Sequence, residues 1–213
     1  MRWCGVRGVV SRNPVASLLS DVRACTICSE YLPLGPRPIV QLHPDARILI
    51  VGQAPGRKVH LSGQPFADAS GLRLREWMGI TPEEFYDPYQ VAIVPIGLCF
   101  PGSGPSGDLP PRPECAPAWH EKLLAALRRV ELSVIIGKYA MDTHFPAKAG
   151  SVTSRVLAWR EQWPDAVPLP HPSWHNNLWL TRNPWFEAEL VPQLQSRVRS
   201  VLGGYAKGGR LPR

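Results

Sequence analysis

The sequence predicts an α/β protein: a three-layer α/β/α fold with a central four-stranded parallel sheet. Three observations carry that expectation. Four short apolar runs, residues 48–51, 91–96, 133–136 and 166–169, have the length and continuity of strands buried on both faces. Helical patterns lie between them, which is the alternation that builds parallel sheets. Each run also stops at residues that turn the chain: Gly52, Gly97, Gly137, and Pro170-His171-Pro172.

In chain order, residues 1–13 show no periodicity and are expected to be loose. Residues 14–22 place Val15, Leu18, Leu19 and Val22 at helical spacing, with Asn13 as a cap and Pro14 in the first turn. That helix delivers Cys25 and Cys28. The proline-rich stretch 32–44 reads as an extended connector into the first strand. The turn Gly52-Gln53-Ala54-Pro55-Gly56 lets the backbone approach a ligand at the carboxyl end of that strand, where open α/β sheets bind. Residues 63–71 (G-Q-P-F-A-D-A-S-G) then return an aromatic ring and a carboxylate toward the turn, so a pocket is expected there. Residues 72–78 read as a helix ended by Gly79, and Thr81-Pro82-Glu83-Glu84 as the capped start of a short one. Cys99 follows the second strand, and residues 101–113 (P-G-S-G-P-S-G-D-L-P-P-R-P) form a long loop. Helices are expected over 118–130, 139–145, 151–162 and 184–202. The basic, glycine-rich tail 203–213 is expected to be flexible, and the chain to form one domain.

A length of 213 residues at 44% hydrophobic content is enough for a sizeable core. The formal charge of +7 suits a polyanionic partner. No stretch approaches the roughly 18 apolar residues of a membrane span, and Arg7 interrupts any leader-like run. A soluble cytoplasmic monomer is expected, in which cysteines bind metal or stay reduced.

Cys25 and Cys28 stand as C-x-x-C, and Cys99 and Cys115 flank the proline-rich loop with fifteen residues between them. Two thiolates one turn apart, joined by a distant pair, make four ligands for a metal or cluster. Packed thiols of no consequence are the plain alternative. Cys4 fits no pattern.

These landmarks, taken in order, resemble the uracil-DNA glycosylase superfamily, closest to its iron-sulfur branches known from thermophiles. The resemblance runs from Leu18 to about Leu202. It rests on Cys25 and Cys28 ahead of the first strand, the glycine-framed turn 52–56, Gly63-Gln64-Pro65-Phe66, the pair Cys99 and Cys115, and His171-Pro172-Ser173 after the last strand. It implies a [4Fe-4S] cluster on the four cysteines, with zinc or no metal as the alternatives. It also implies uracil-containing DNA, single- or double-stranded, as partner, and a nucleoid setting in a prokaryote.

Cleaving the bond between pyrimidine and deoxyribose leaves positive charge on the sugar and negative charge on the base, and both need stabilisation. His171 can donate a hydrogen bond to a base oxygen. The backbone at Gly52, Gln53 and Ala54 can bind the base, and Phe66 can stack on it. Asp68, in a D-A-S-G segment like that of the broader-specificity iron-sulfur branch, can orient water and offset the cationic sugar. Each has a structural alternative: Phe66 as core, Asp68 as a helix cap, His171 as a satisfied histidine, and Trp174, Trp179 and Trp185 as packing residues.

Some positions depart from the family pattern. Ala54 and Gly56 stand where the best-known uracil enzymes carry Asp and Tyr, and Gln53 where the iron-sulfur uracil enzymes carry Glu; Gln53 is a catalytic candidate beside Asp68, a neutral side chain that can orient water but cannot accept its proton. Pro95 replaces the Asn that reads the pyrimidine edge, leaving Gln53 or Asn176 to supply that contact. Trp174, His175, Asn176 and Asn177 follow His171-Pro172-Ser173, where the family wedges side chains into the stack, and Ser173 is a candidate base contact; Arg57, Lys58 and the serines of 103–106 are candidate phosphate contacts. The expected activity is hydrolytic removal of uracil, with no lysine placed for a lyase step. A wider deaminated-base glycosylase acting on hypoxanthine or xanthine, a non-catalytic binder of damaged DNA, and an iron-sulfur electron carrier are the other readings.

Overall fold

A computed structural model describes residues 14–105, 107–146 and 150–203. The expectations for residues 1–13, for Ser106 and for the tail beyond Gly203 fall outside them. The central sheet consists of β1 (Ile48–Val51), β2 (Val91–Ile93), β5 (Leu132–Ile136) and β6 (Ala166–Leu169). Its order is β2-β1-β5-β6, and every neighbouring pair is parallel. A separate antiparallel hairpin pairs β3 (Ser103–Gly104) with β4 (Gly107–Asp108).

The helices are α1 (Pro14–Arg23), α2 (Arg57–Ser62), α3 (Ala69–Met78), α4 (Pro82–Phe85), α5 (Cys115–Ala125), α6 (Gly137–His144), α7 (Val152–Leu157), α8 (Asn177–Arg182) and α9 (Val191–Gly203). They surround the sheet to give the expected three-layer α/β/α architecture, with α3 against α9 and α1 against α5. Among the described residues no helix is long and apolar enough to cross a membrane.

All four residues of β1 are buried, as are the three of β2 and four of the five in β5. Burial on both faces explains why the runs are continuous rather than alternating. From β1 the chain crosses to β2 on one side and later reaches β5 on the other. Such a reversal opens a crevice outside the carboxyl ends of the strands.

Several boundaries differ from expectation. β2 ends at Ile93 rather than at residue 96, although the N–H groups of Val94 and Ile96 still donate to the Ile50 and Gly52 carbonyls at 2.9 Å. The helix expected over 118–130 begins at Cys115, since Pro117 is tolerated in a first turn. It closes early as the N–H groups of Ala126 and Leu127 reach back three residues to Leu123 and Leu124. The stretch 151–162 divides into α7, capped by Ser151, and a 3-10 turn at Trp159–Glu161. The closing helix opens with a π turn at Phe186–Leu190 before α9. Helix α8 and the 3-10 turn Trp174–Asn176 were not anticipated; each is too short to show a period.

Candidate active site

A pocket of about 390 Å³ lies at the carboxyl ends of β1, β2 and β6. That is within the usual range for small-molecule sites. Its wall includes Gly52, Gln53, Ala54, Pro55 and Gly56 from the turn after β1. The N–H groups of Gln53 and Ala54 have no partner among the described residues, so both remain available to a ligand. The Gln53 side chain instead holds the loop opposite, donating from Nε2 to the Leu109 carbonyl at 2.9 Å.

The segment 63–71 supplies Pro65, Phe66, Asp68 and Ser70. Asp68 is the N-cap of α3: its Oδ1 accepts from the Gly71 N–H at 2.9 Å. The cap reading is therefore realised, and the same side chain still faces the pocket. Phe66 likewise satisfies both of its readings, since it lines the pocket and packs on the core, edge-on to Phe85 at 6.1 Å. Its φ of 53° is a left-handed conformation unusual for a side-chain-bearing residue, and Tyr86 Oη donates to its carbonyl at 3.3 Å. Gly71 makes this approach possible. A Cβ there would lie 1.8 Å from the Phe66 carbonyl oxygen.

His171 enters from the loop after β6, and its ring has no hydrogen-bond partner among the described residues. Burial lowers its pKa from the ordinary 6.5, opposed by the charges of Asp68 and Asp108 and assisted by His175. The ring is therefore neutral near pH 7 and able to donate one hydrogen bond. Arg73 on α3 fixes this loop, donating to the Ser173 carbonyl at 3.2 Å and to Asn177 Oδ1 at 2.9 Å. Ser173 and His175 line the pocket. Asn176 does not: its Nδ2 donates to the His171 carbonyl at 2.7 Å and so ties the loop to itself. Trp174 is 68% exposed and stacks on His175 at 3.8 Å, whereas Trp179 and Trp185 pack against the core. Arg57 and Lys58 are exposed at the start of α2, outside the pocket wall.

Sequence reading did not find Asp108. It is carried into the pocket by the β3–β4 hairpin inside the proline-rich loop. Pro95 lines the pocket where an amide side chain was missed, with Ile39 and Ile93 beside it.

The four cysteines surround a second, much smaller pocket of about 10 Å³, with Leu32, Pro36, Pro38, Leu98 and Trp119. All four are free thiols. Trp119 Nε1 donates to Cys25 Sγ at 3.1 Å and the Leu98 N–H to Cys115 Sγ at 3.3 Å. Burial pushes the Cys99 thiol up to about 12 and the Cys115 thiol up to about 11. Among the described residues no group of three or more His, Cys, Asp or Glu side chains closes on a single ion. Donor chemistry nonetheless fits a soft metal or an iron-sulfur cluster: four sulfurs, an apolar surround, and N–H groups directed at sulfur. A cluster spreads its ligands over several irons, so it accommodates thiols that do not meet at one point.

Comparison with known proteins matches residues 39–195 to the family model described as the uracil DNA glycosylase superfamily. A Type-4 uracil-DNA glycosylase from Thermotoga maritima is 27% identical over 173 residues, 77% of this chain and 84% of that protein. A solution NMR structure from Methanosarcina acetivorans, of a protein proposed to be a uracil DNA glycosylase, covers 78% of this chain and 98% of its own at 15% identity and a TM-score of 0.46.

Proposed function

The chain belongs to the uracil DNA glycosylase superfamily, and on that premise we propose that it is a monofunctional DNA glycosylase, which hydrolyses the N-glycosidic bond of uracil flipped out of DNA and leaves an abasic site. One observation carries the reading: a single pocket collects the turn after β1, Phe66, Asp68 and His171. A flipped base stacks on Phe66 and meets the free N–H groups of Gln53 and Ala54. As the bond between C1′ and N1 breaks, its electron pair leaves with the base, and neutral His171 donates a hydrogen bond to the base oxygen on which that charge gathers. Asp68 offsets the positive charge left on the sugar. A water oxygen then bonds to C1′, one of its protons is released, and the base anion takes up a proton from solvent.

The DNA is held electrostatically by a chain of formal charge +7, with Arg57 and Lys58 at phosphates and Trp174 wedged into the gap left by the base. Its protein acts as a monomer of one domain in the compartment that holds the DNA. Cys25, Cys28, Cys99 and Cys115 hold a [4Fe-4S] cluster. When bound, that group ties the connector, the proline-rich loop and α5 together rather than entering the reaction.

Pro95 favours a second reading, a wider range of deaminated bases. It lines the pocket yet offers neither an amide side chain nor an N–H to select the uracil edge. The test is incubation of purified protein with labelled oligonucleotides carrying uracil or hypoxanthine, followed by alkali. Strand breaks at uracil alone support the first reading, and breaks at both support the second. Retention of the oligonucleotide without breaks overturns both in favour of a binding protein.

A further inference from the structure

We infer that Asp108, brought into the pocket by the β3–β4 hairpin, is a second catalytic carboxylate that contacts and orients the attacking water. The inference rests on the glycosylase reading and deepens it by assigning the nucleophile.

The hairpin is built to hold this side chain. Ser103 Oγ donates to Asp108 Oδ1 at 2.9 Å, across the register pair that joins the two residues. The Leu109 N–H closes the hairpin onto the Gly102 carbonyl at 2.9 Å, and Gln53 Nε2 ties the same Leu109 to the turn after β1. Asp108 is thereby fixed to the wall that receives the base. Its Oδ2 rests against Gly56: a Cβ added there would lie 3.1 Å from that oxygen, so a bulkier residue at position 56 presses on the carboxylate.

The two pocket carboxylates are engaged in different ways. Asp68 gives Oδ1 to the Gly71 N–H, and swinging it away uncaps α3. Asp108 gives Oδ1 to a hydroxyl that can rotate. In each, Oδ2 has no hydrogen bond among the described residues. Asp108 is also the exposed one of the two, while Asp68 is half-buried. Both stand near enough to His171 for their charges to act on it.

Departure of the base leaves cationic character at C1′, and the incoming water must shed a proton as its oxygen bonds to that carbon. An acceptor on the solvent side of the pocket meets that need, and a pair of carboxylates can divide the work of charge and water as in glycoside hydrolysis. Asp68 then stabilises the sugar cation. Asp108 accepts the water proton and returns it to solvent, and the base anion takes a proton from solvent, so atoms and charge balance.

The test compares wild type with Asp108→Asn in steady-state cleavage of a uracil-containing oligonucleotide. Asn retains an oxygen for the Ser103 hydroxyl but cannot accept the water proton. The expected result is a fall in kcat of about 10²–10⁴, KM within about threefold and an unchanged unfolding midpoint. Ser103→Ala, which frees the carboxylate without removing it, is expected to fall between the two. An Asp108→Asn variant within about threefold of wild-type kcat overturns the assignment, as does a rise in KM with kcat unchanged, which marks Asp108 as a binding group. If wild type cleaves neither uracil nor hypoxanthine DNA, the glycosylase reading itself fails and this inference with it. An active wild type beside an equally active variant sinks the inference alone.

Discussion

The base pocket and the thiol site are neighbours that share chain. Residues 36–39 give Pro36 and Pro38 to the thiols and Ile39 to the pocket; residues 95–99 give Pro95 to the pocket and Leu98 and Cys99 to the thiols. Yet one keeps about 390 Å³ of space and the other about 10 Å³. In the first, N–H groups, a histidine ring and carboxylate oxygens have no partner among the described residues. In the second, N–H groups of Trp119 and Leu98 already reach sulfur. The same two stretches thus serve both sites. Catalysis and stability should therefore respond separately to substitution on the two sides.

Between the two sites, a large separation is expected at His171. Replacing it with Ala removes the donor to the departing base and should lower kcat on uracil DNA by about 10²–10³, by analogy with the loss of one oxyanion-stabilising donor. Because the ring bonds to no described residue, the thermal unfolding midpoint and metal content should stay at wild-type values. A large fall in the midpoint would show that His171 serves the fold and would erase the contrast.

Cys99→Ala should behave in the opposite sense. Three thiols are an incomplete ligand set, so bound iron or zinc, measured by elemental analysis, should drop well below one site per chain. A metal site held at a thousand times its Kd stabilises by about 4 kcal/mol, and this much is lost with the site. Residual kcat should be affected less than by His171→Ala. Full metal content in the variant would show that the four thiols do not act as one set.

The contrast also explains what could be seen in the sequence. Strand β1 was legible to the residue because four apolar side chains buried on both faces end at a glycine, and the four thiols were legible because cysteine spacing is a local pattern. The D-A-S-G cap was readable on the same grounds, and the structure gives Asp68 the cap and a place in the pocket together. Asp108 was not legible. Its loop has no period, and its place depends on Ser103 across a two-residue hairpin and on the space at Gly56, fifty-two positions away in sequence. The place of Asn176 was not legible for a related reason. A 3-10 turn over Trp174–Asn176 folds its amide back on His171, and nothing in W-H-N announces that turn.

Acid should weaken the thiol side through α5, the helix that carries both Cys115 and His120. His120 and His144 meet at 3.0 Å between their Nε2 atoms. Burial, with the charge of His144 second, lowers the His120 pKa from 6.5 to about 4, and burial lowers that of His144. A folded chain that keeps these rings neutral binds fewer protons than the unfolded one below pH 6.5. Stability is thus intact above pH 6.5 and declines as pH falls toward 4, by about 3 kcal/mol for the His120 gap. Denaturant midpoints at pH 7.5 and 4.5 measure the decline, and His120→Gln should flatten it. An equally steep decline in that variant would place the acid sensitivity elsewhere.

The smallest effect belongs to Asp68, and it separates the two duties that this side chain combines. Asn accepts a cap hydrogen bond about as well as Asp, so Asp68→Asn should leave the start of α3 intact and keep the unfolding free energy near wild type. Asp68→Ala loses the bond to the Gly71 N–H and should cost about 1 kcal/mol. Both variants lack the carboxylate that faces the sugar, so both should lose turnover to a similar degree while only Ala loses stability. If Asn instead restored turnover along with stability, Asp68 would be a helix cap alone, and the pocket would be left with Asp108 as its one working carboxylate.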